Sequence, residues 1–157
     1  MRVQGDEMIA SRLTRRTALM APLVAIAGAL VARNAFATAD QAKEWLAGHA
    51  RGTPQSGKVT LKAPEIAENG NAVPLTVSVE SEMSEKSYVK AIYVAADGNP
   101  NPGVAVFEMT PLSGKAEIAL RVRLQQTEKI VAVAEMNDGS LYTASREVKV
   151  TIGGCGG

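Results

Sequence analysis

The chain has one cysteine and one histidine in 157 residues. That excludes an intrachain disulfide, a zinc site of three or four Cys/His ligands, and a Cys–His nucleophile pair backed by a second histidine. Aromatic residues make up only 4%, too few for the stacking platforms that bind single-stranded nucleic acid. Charge of one sign is lacking as well. The 17 Lys+Arg face 16 Asp+Glu, a formal net charge of +1, so there is no polybasic footprint for nucleic acid. No apolar run reaches the roughly 20 residues that a bilayer-spanning helix needs. What remains is ordinary for one soluble globular domain, 46% apolar and 21% charged. No catalytic residues, cofactor or metal ligands are read from it, and the lone Cys155 becomes the question.

Residues 1–37 read as a cleaved export signal. Arg12, Arg15 and Arg16 form a positive region, and 19–32 is an uncharged apolar run of 14 residues. Ala35-Phe36-Ala37 then offers small residues at the −3 and −1 positions of a cleavage site, with Ala37-Thr38-Ala39 as a second option. The run is too short for a membrane anchor, so no membrane association is expected after cleavage. Arg15 and Arg16 in Thr14-Arg15-Arg16-Thr17-Ala18-Leu19-Met20 resemble the twin-arginine export motif, with Ala18 where that motif usually has a bulky apolar residue. The compartment expected is the periplasm, where a free thiol meets oxidants. Loss of 1–37 removes Arg2, Arg12, Arg15, Arg16 and Arg33 against only Asp6 and Glu7, which turns the net charge slightly negative.

Residues 38–152 read as a short helix followed by strands. Thr38-Ala39-Asp40 can cap a helix over 39–47 that ends at Gly48, with Trp45 and Leu46 as apolar anchors. Residues 51–57 form a loop by composition. Strand candidates follow at 58–62, 73–80, 88–95, 103–109, 115–124, 129–136 and 141–152, the last two joined by the turn Asn137-Asp138-Gly139-Ser140. The segment 88–95 is apolar almost throughout, which predicts a central strand. Turn signals at regular intervals make this an all-β chain, an immunoglobulin-like antiparallel β-sandwich with a short N-terminal helix. It has the architecture only, because the Cys…Trp…Cys pattern of antibody domains is absent.

Several residues take bland readings. His49 is expected at the surface or at the helix end. Glu80, Glu82 and Glu85 make a solvated acidic loop. Met83, Met109 and Met136 are core or interface filler. Gly52-Thr53-Pro54-Gln55-Ser56-Gly57 lacks the lysine and spacing of a phosphate loop.

The chemistry is confined to 153–157. Gly153-Gly154-Cys155-Gly156-Gly157 is a thiol on a flexible arm, since Gly153, Gly154, Gly156 and Gly157 have no side chains and the widest backbone freedom. Five extended residues reach about 17 Å. An arm one backbone thick can enter a cleft where any Cβ would clash, and its thiol is an accessible nucleophile with an ordinary pKa of about 8.5. A prenylation box is excluded, because it needs its cysteine fourth from the end and Cys155 is third.

The terminal Gly153-Gly154-Cys155-Gly156-Gly157, the twin-arginine signal and a β-rich domain of about 120 residues together resemble the SoxY family, the carrier subunits of the periplasmic sulfur-oxidising (Sox) system. The resemblance spans essentially the whole chain in layout. It implies that Cys155 bears the covalently attached sulfur substrate and that the chain is a carrier, not an enzyme. It further implies a heterodimer with SoxZ, loading by the haem protein SoxAX, release of sulfate by the hydrolase SoxB, and in some systems oxidation by a sulfane dehydrogenase. The competing reading is a periplasmic β-sandwich interaction module whose Cys155 makes a lasting intermolecular disulfide. A thiol oxidoreductase would need a second cysteine.

Overall fold

The computed structural model describes residues 37–151. Residues 1–36 of the expected signal 1–37, with Arg15 and Arg16, and the terminal arm, with Cys155 and its four glycines, lie outside the described residues.

Helix α1 (Ala39–His49) begins as the sequence suggests. The backbone N–H of Gln41 donates to Thr38 Oγ1 at 3.4 Å, and the Thr38 N–H donates to Gln41 Oε1 at 2.9 Å. Two amides left unpaired by the first turn are thereby satisfied reciprocally. The helix does not end at Gly48. It continues to His49, because the Ala50 N–H still reaches the Leu46 carbonyl at 2.7 Å and His49 Nδ1–H donates to the Trp45 carbonyl at 2.8 Å. Those contacts satisfy the last turn without a left-handed residue.

Nine strands follow among the described residues: β1 (Gln55–Ser56), β2 (Val59–Lys62), β3 (Ile66–Ala67), β4 (Val73–Val79), β5 (Val89–Ala96), β6 (Gly103–Glu108), β7 (Glu117–Val122), β8 (Glu128–Met136) and β9 (Leu141–Val150). All seven segments expected from period-2 patterning are present. The two additional strands, β1 and β3, are two residues each, too short to show a period. Both pair parallel to β9, whereas the long strands pair antiparallel. The large sheet runs β1-β9-β8-β5-β6, with β3 also on β9, and the small sheet runs β2-β4-β7.

The large sheet is buried on both faces, which is why β5 reads as an unbroken apolar run. One face places Ile92, Val94 and Ala96 of β5 and Ile130, Ala132 and Ala134 of β8 in a core shared with Leu75 and Val77 of the small sheet. The other places Ala91, Tyr93, Ala95 and Val133 against Ala42 and Leu46 of α1. Helix, large sheet and small sheet therefore form three layers. Val89 joins the first core despite its odd position, because a bulge between Val89 and Ala91 resets the alternation. The methionines behave as expected of filler: Met83 and Met136 are buried in the main core, and Met109 packs against it.

Trp45 of α1 lies so close to the start of β6 that a Cβ added to Gly103 would sit 2.5 Å from its Cε2 and 2.6 Å from its Nε1. Glycine is required there by space. Gly103→Ala should push the indole off the sheet and cost about 1–3 kcal/mol, as overpacking does. Trp45 is the chain's single tryptophan, so its emission reports the displacement while denaturant unfolding reports the stability. An unchanged midpoint with unchanged emission would refute the contact.

Candidate functional site

Strand β9 runs from Leu141 to Val150, so the expected arm must leave from the Val150 end of the sandwich. Three segments converge there: 63–72 between β2 and β4, the loop 97–102 after β5, and the turn 123–127 before β8. Four hydrogen bonds fasten the last described residues. The Lys149 N–H donates to the Glu65 carbonyl at 2.9 Å, and the Thr151 N–H to the Ala67 carbonyl at 3.1 Å. The Thr151 hydroxyl donates to the Glu68 carbonyl at 2.9 Å, and the Val150 N–H to Thr127 Oγ1 at 3.0 Å. The chain is thus bound on both sides as far as Thr151.

Behind this exit lies Glu128, the one charged side chain buried among the described residues, 4% exposed. Its Oε2 accepts from the Gly98 N–H at 2.7 Å and its Oε1 from the Gln125 N–H at 3.1 Å. The carboxylate therefore ties the 97–102 loop to the 123–127 turn. Asn99 reinforces the tie: its Nδ2 donates to the Arg123 carbonyl at 2.8 Å, and its Oδ1 accepts from the Gln125 N–H at 3.3 Å. Asp97 Oδ1 accepts from the Lys129 N–H at 2.7 Å. Gly98 cannot carry a side chain, since a Cβ would lie 2.7 Å from that of Glu128. Burial pushes the Glu128 carboxyl above its ordinary range, and the two N–H donors pull it the other way without cancelling that effect.

The remaining ionisable groups of note lie elsewhere. His49 is exposed at the helix end, its ring 4.2 Å from that of Trp45 and 5.9 Å from that of Tyr93. Tyr93 O–H donates to Glu135 Oε2 at 2.8 Å, and Lys90 Nζ donates to Glu135 Oε1 at 2.7 Å. The Lys90 ammonium holds the Glu135 carboxyl below its usual range, while burial and then the bond to Glu135 push Tyr93 up to about 12. Tyr93 pairs with Val133, which pairs with Thr143, eight residues before Thr151. That is roughly 25 Å at strand rise, so this cluster belongs to the helix face and not to the exit. Glu80, Glu82 and Glu85 are all exposed, as a solvated loop requires. No group of three His, Cys, Asp or Glu among the described residues could hold a metal ion. No helix among them is long and apolar enough to cross a membrane.

Sequence reasoning singled out none of Glu128, Asn99, Thr127 or Thr151. Glu128 was within reach, because it shares parity with Ile130, Ala132 and Ala134 and so must point inward. The others bond across loops far apart in sequence and leave no local pattern.

Fold and site together define a small β-sandwich that has one covering helix and fastens its own C-terminal exit. The family model of the sulfur oxidation protein SoxY matches residues 42–155. Among solved structures, the sulfur carrier protein SoxY from Chlorobium limicola f thiosulfatophilum is 38% identical, with a TM-score of 0.61 over 73% of this chain and 100% of that one. The chain belongs to the SoxY family of sulfur oxidation proteins. A superoxide reductase (neelaredoxin) from Ignicoccus hospitalis matches with a TM-score of 0.54 at 20% identity, over 74% of this chain and 95% of that one. A superoxide reductase from Nanoarchaeum equitans matches at 0.51 and 10%, over 60% and 99%. At these identities the likeness to superoxide reductases is one of fold alone. No match is found among the curated proteins.

Glu128→Ala should cost about 1–3 kcal/mol, since it leaves the Gly98 N–H without its acceptor and the Gln125 N–H with only its longer bond to Asn99 Oδ1. Amide exchange at those two residues should quicken before exchange at the β5–β8 core does. The pH dependence has a definite sign. A carboxyl whose folded pKa is raised binds its proton more tightly in the native state, so stability declines as pH rises from the unfolded value of 4.5 through the folded one. Wild type should therefore lose stability relative to Glu128→Gln over that range. Parallel profiles for the two proteins would show that Glu128 is not desolvated.

Proposed function

We propose that this protein carries sulfur intermediates as covalent adducts of the Cys155 thiol and presents them on the arm 153–157 to partner enzymes. The observation that carries this reading is the family match itself, which runs over 42–155 and so ends on the cysteine. The relative from Chlorobium is named a sulfur carrier protein, and a carrier role in sulfur oxidation accords with a chain that has one histidine and one cysteine. In this proposal the chain is not itself an enzyme.

The chemistry balances with a single thiol. Thiosulfate couples to Cys155 as RSH + S₂O₃²⁻ → RS–S–SO₃⁻ + H⁺ + 2e⁻, the two electrons passing to the haem protein SoxAX. Hydrolysis by SoxB then gives RS–S–SO₃⁻ + H₂O → RS–SH + HSO₄⁻, leaving a persulfide on the same cysteine. A sulfane dehydrogenase would act on that persulfide. Each step uses a partner's active site, and this chain supplies the attachment atom and the reach. We further propose a heterodimer with SoxZ and export to the periplasm by the twin-arginine signal around Arg15 and Arg16, with cleavage near Ala37.

Cys155→Ala should abolish thiosulfate oxidation in a reconstituted system without lowering the unfolding midpoint, since the residue follows the last described strand, which ends at Val150. Intact-mass measurement of wild type after incubation with thiosulfate and SoxAX should show a thiosulfonate adduct that reductant removes. A disulfide-linked dimer with no sulfur adduct would favour the interaction-module reading instead.

The glycines have their own test. Gly154→Val adds a branched side chain beside Cys155 and restricts its backbone. A small alkylating reagent should label the variant at nearly the wild-type rate. The partner enzymes should process it tenfold or more slowly, since a clash in a tight channel costs on the order of 1–3 kcal/mol. Equal partner rates would reduce the glycines to a loose linker.

A further inference from the structure

The reading of Cys155 as the attachment point has a geometric consequence for where partners must sit. Hydrogen bonding fastens Thr151, and Cys155 stands only four positions further along the chain. Fully extended, those four steps span at most about 14 Å. An enzyme that takes the thiol into its active site must therefore bring the mouth of its cleft to the sandwich surface around Thr151. A transient interface buries up to about 1,200 Å² in all, roughly a disc of 14 Å radius on each partner. Every such docking footprint must include the ground immediately beside the exit.

That ground has a distinctive composition. The segment 65–68 crosses β9 at its very end, with Ile66 opposite Lys149 and Ala67 opposite Val150. Ala67 turns inward and is buried, whereas Ile66 turns outward and is 57% exposed. Ile66 stands one strand spacing from β9 and two residues before Thr151, so it lies within about 8 Å of the exit. Exposed Glu65 and Glu68 flank it along the chain, and exposed Lys149 is its partner on β9. The other two large exposed apolar side chains among the described residues, Val106 and Leu112, are remote. Leu112 follows β6, whose last residue Glu108 pairs through Ala91 and Glu135 to Leu141 at the opposite end of β9. That is about 30 Å along the strand. An isoleucine turned to water on a two-residue strand stabilises no core.

We propose that Ile66, flanked by Glu65 and Glu68 and opposite Lys149, is the contact on which the cleft rim of an arm-processing enzyme seats, in particular the hydrolase that releases sulfate from the loaded cysteine. The partner surface it fits is an apolar lip bordering a channel one backbone wide. The hydrogen bonds at Thr151 keep the tether short, so that lip contact and entry of the thiol occur together.

The test uses the full-length mature chain in complex with SoxZ, loaded with thiosulfonate on Cys155 and presented to the hydrolase. Ile66→Glu should raise the KM for the loaded protein five- to tenfold and leave kcat unchanged, because it removes docking and touches no reacting atom. Its unfolding midpoint and the alkylation rate of Cys155 by a small reagent should match wild type. Leu112→Glu, at the far end, should leave KM unchanged. Wild-type kinetics for Ile66→Glu, or an equal rise in KM for Leu112→Glu, would overturn the proposal. So would failure of Ile66→Glu to bind SoxZ, which would assign Ile66 to the subunit contact. If no thiosulfonate forms on Cys155 at all, the carrier reading itself falls, a result that mass measurement separates from a docking defect.

Discussion

Burial of the β5–β8 pair on both faces is the constraint on which the rest of the molecule depends. Two adjacent strands with apolar side chains pointing both ways cannot be covered by one layer. The small sheet covers one side through Leu75 and Val77, and α1 covers the other through Ala42 and Leu46. The helix is thus a structural lid over apolar surface, anchored by the close approach of Trp45 to Gly103. With both faces occupied, only strand edges and sandwich ends remain for function.

The two ends are built differently. At the Leu141 end, the turn Asn137-Asp138-Gly139-Ser140 is closed by the Ser140 N–H, which returns to Asp138 Oδ1 at 2.8 Å. At the Val150 end, the 97–102 and 123–127 connections meet over a buried side chain that gives them internal support. Glu128 supplies it at the cost of burying a carboxyl, offset by hydrogen bonds from the Gly98 and Gln125 N–H groups. The same end holds the fastening of Thr151, whose N–H and hydroxyl donate to the Ala67 and Glu68 carbonyls.

In the proposed function, redox equivalents, hydrolytic water and the groups that activate them come from other proteins. On that reading this chain contributes a nucleophilic sulfur, a tether short enough to dictate where partners dock, and a hydrogen-bonded base at Thr151. Polar clusters elsewhere, such as Lys90–Glu135–Tyr93, lie across the sheet face under α1 and serve packing and charge balance there.

The sequence alone determined the strand periods, because alternation of Leu75, Val77 and Val79 with polar neighbours reflects one-sided burial and can be read locally. It also determined the helix start, where Thr38 and Gln41 lie within one turn, and it left Cys155 as the single thiol on which the proposed function rests. Tertiary structure alone decided which face of the large sheet each layer covers, because a strand apolar on both sides carries no sign of what lies on either. It decided that two-residue segments close the outer edge of β9, pairings too short to have a period. It decided, too, that Glu128 holds two loops together and that Thr151 is fastened to the 65–68 segment. The bonds from Gly98 to Glu128 and from Thr151 to Glu68 join residues 30 and 83 positions apart, and contacts at such separations exist only once the fold has brought the segments together.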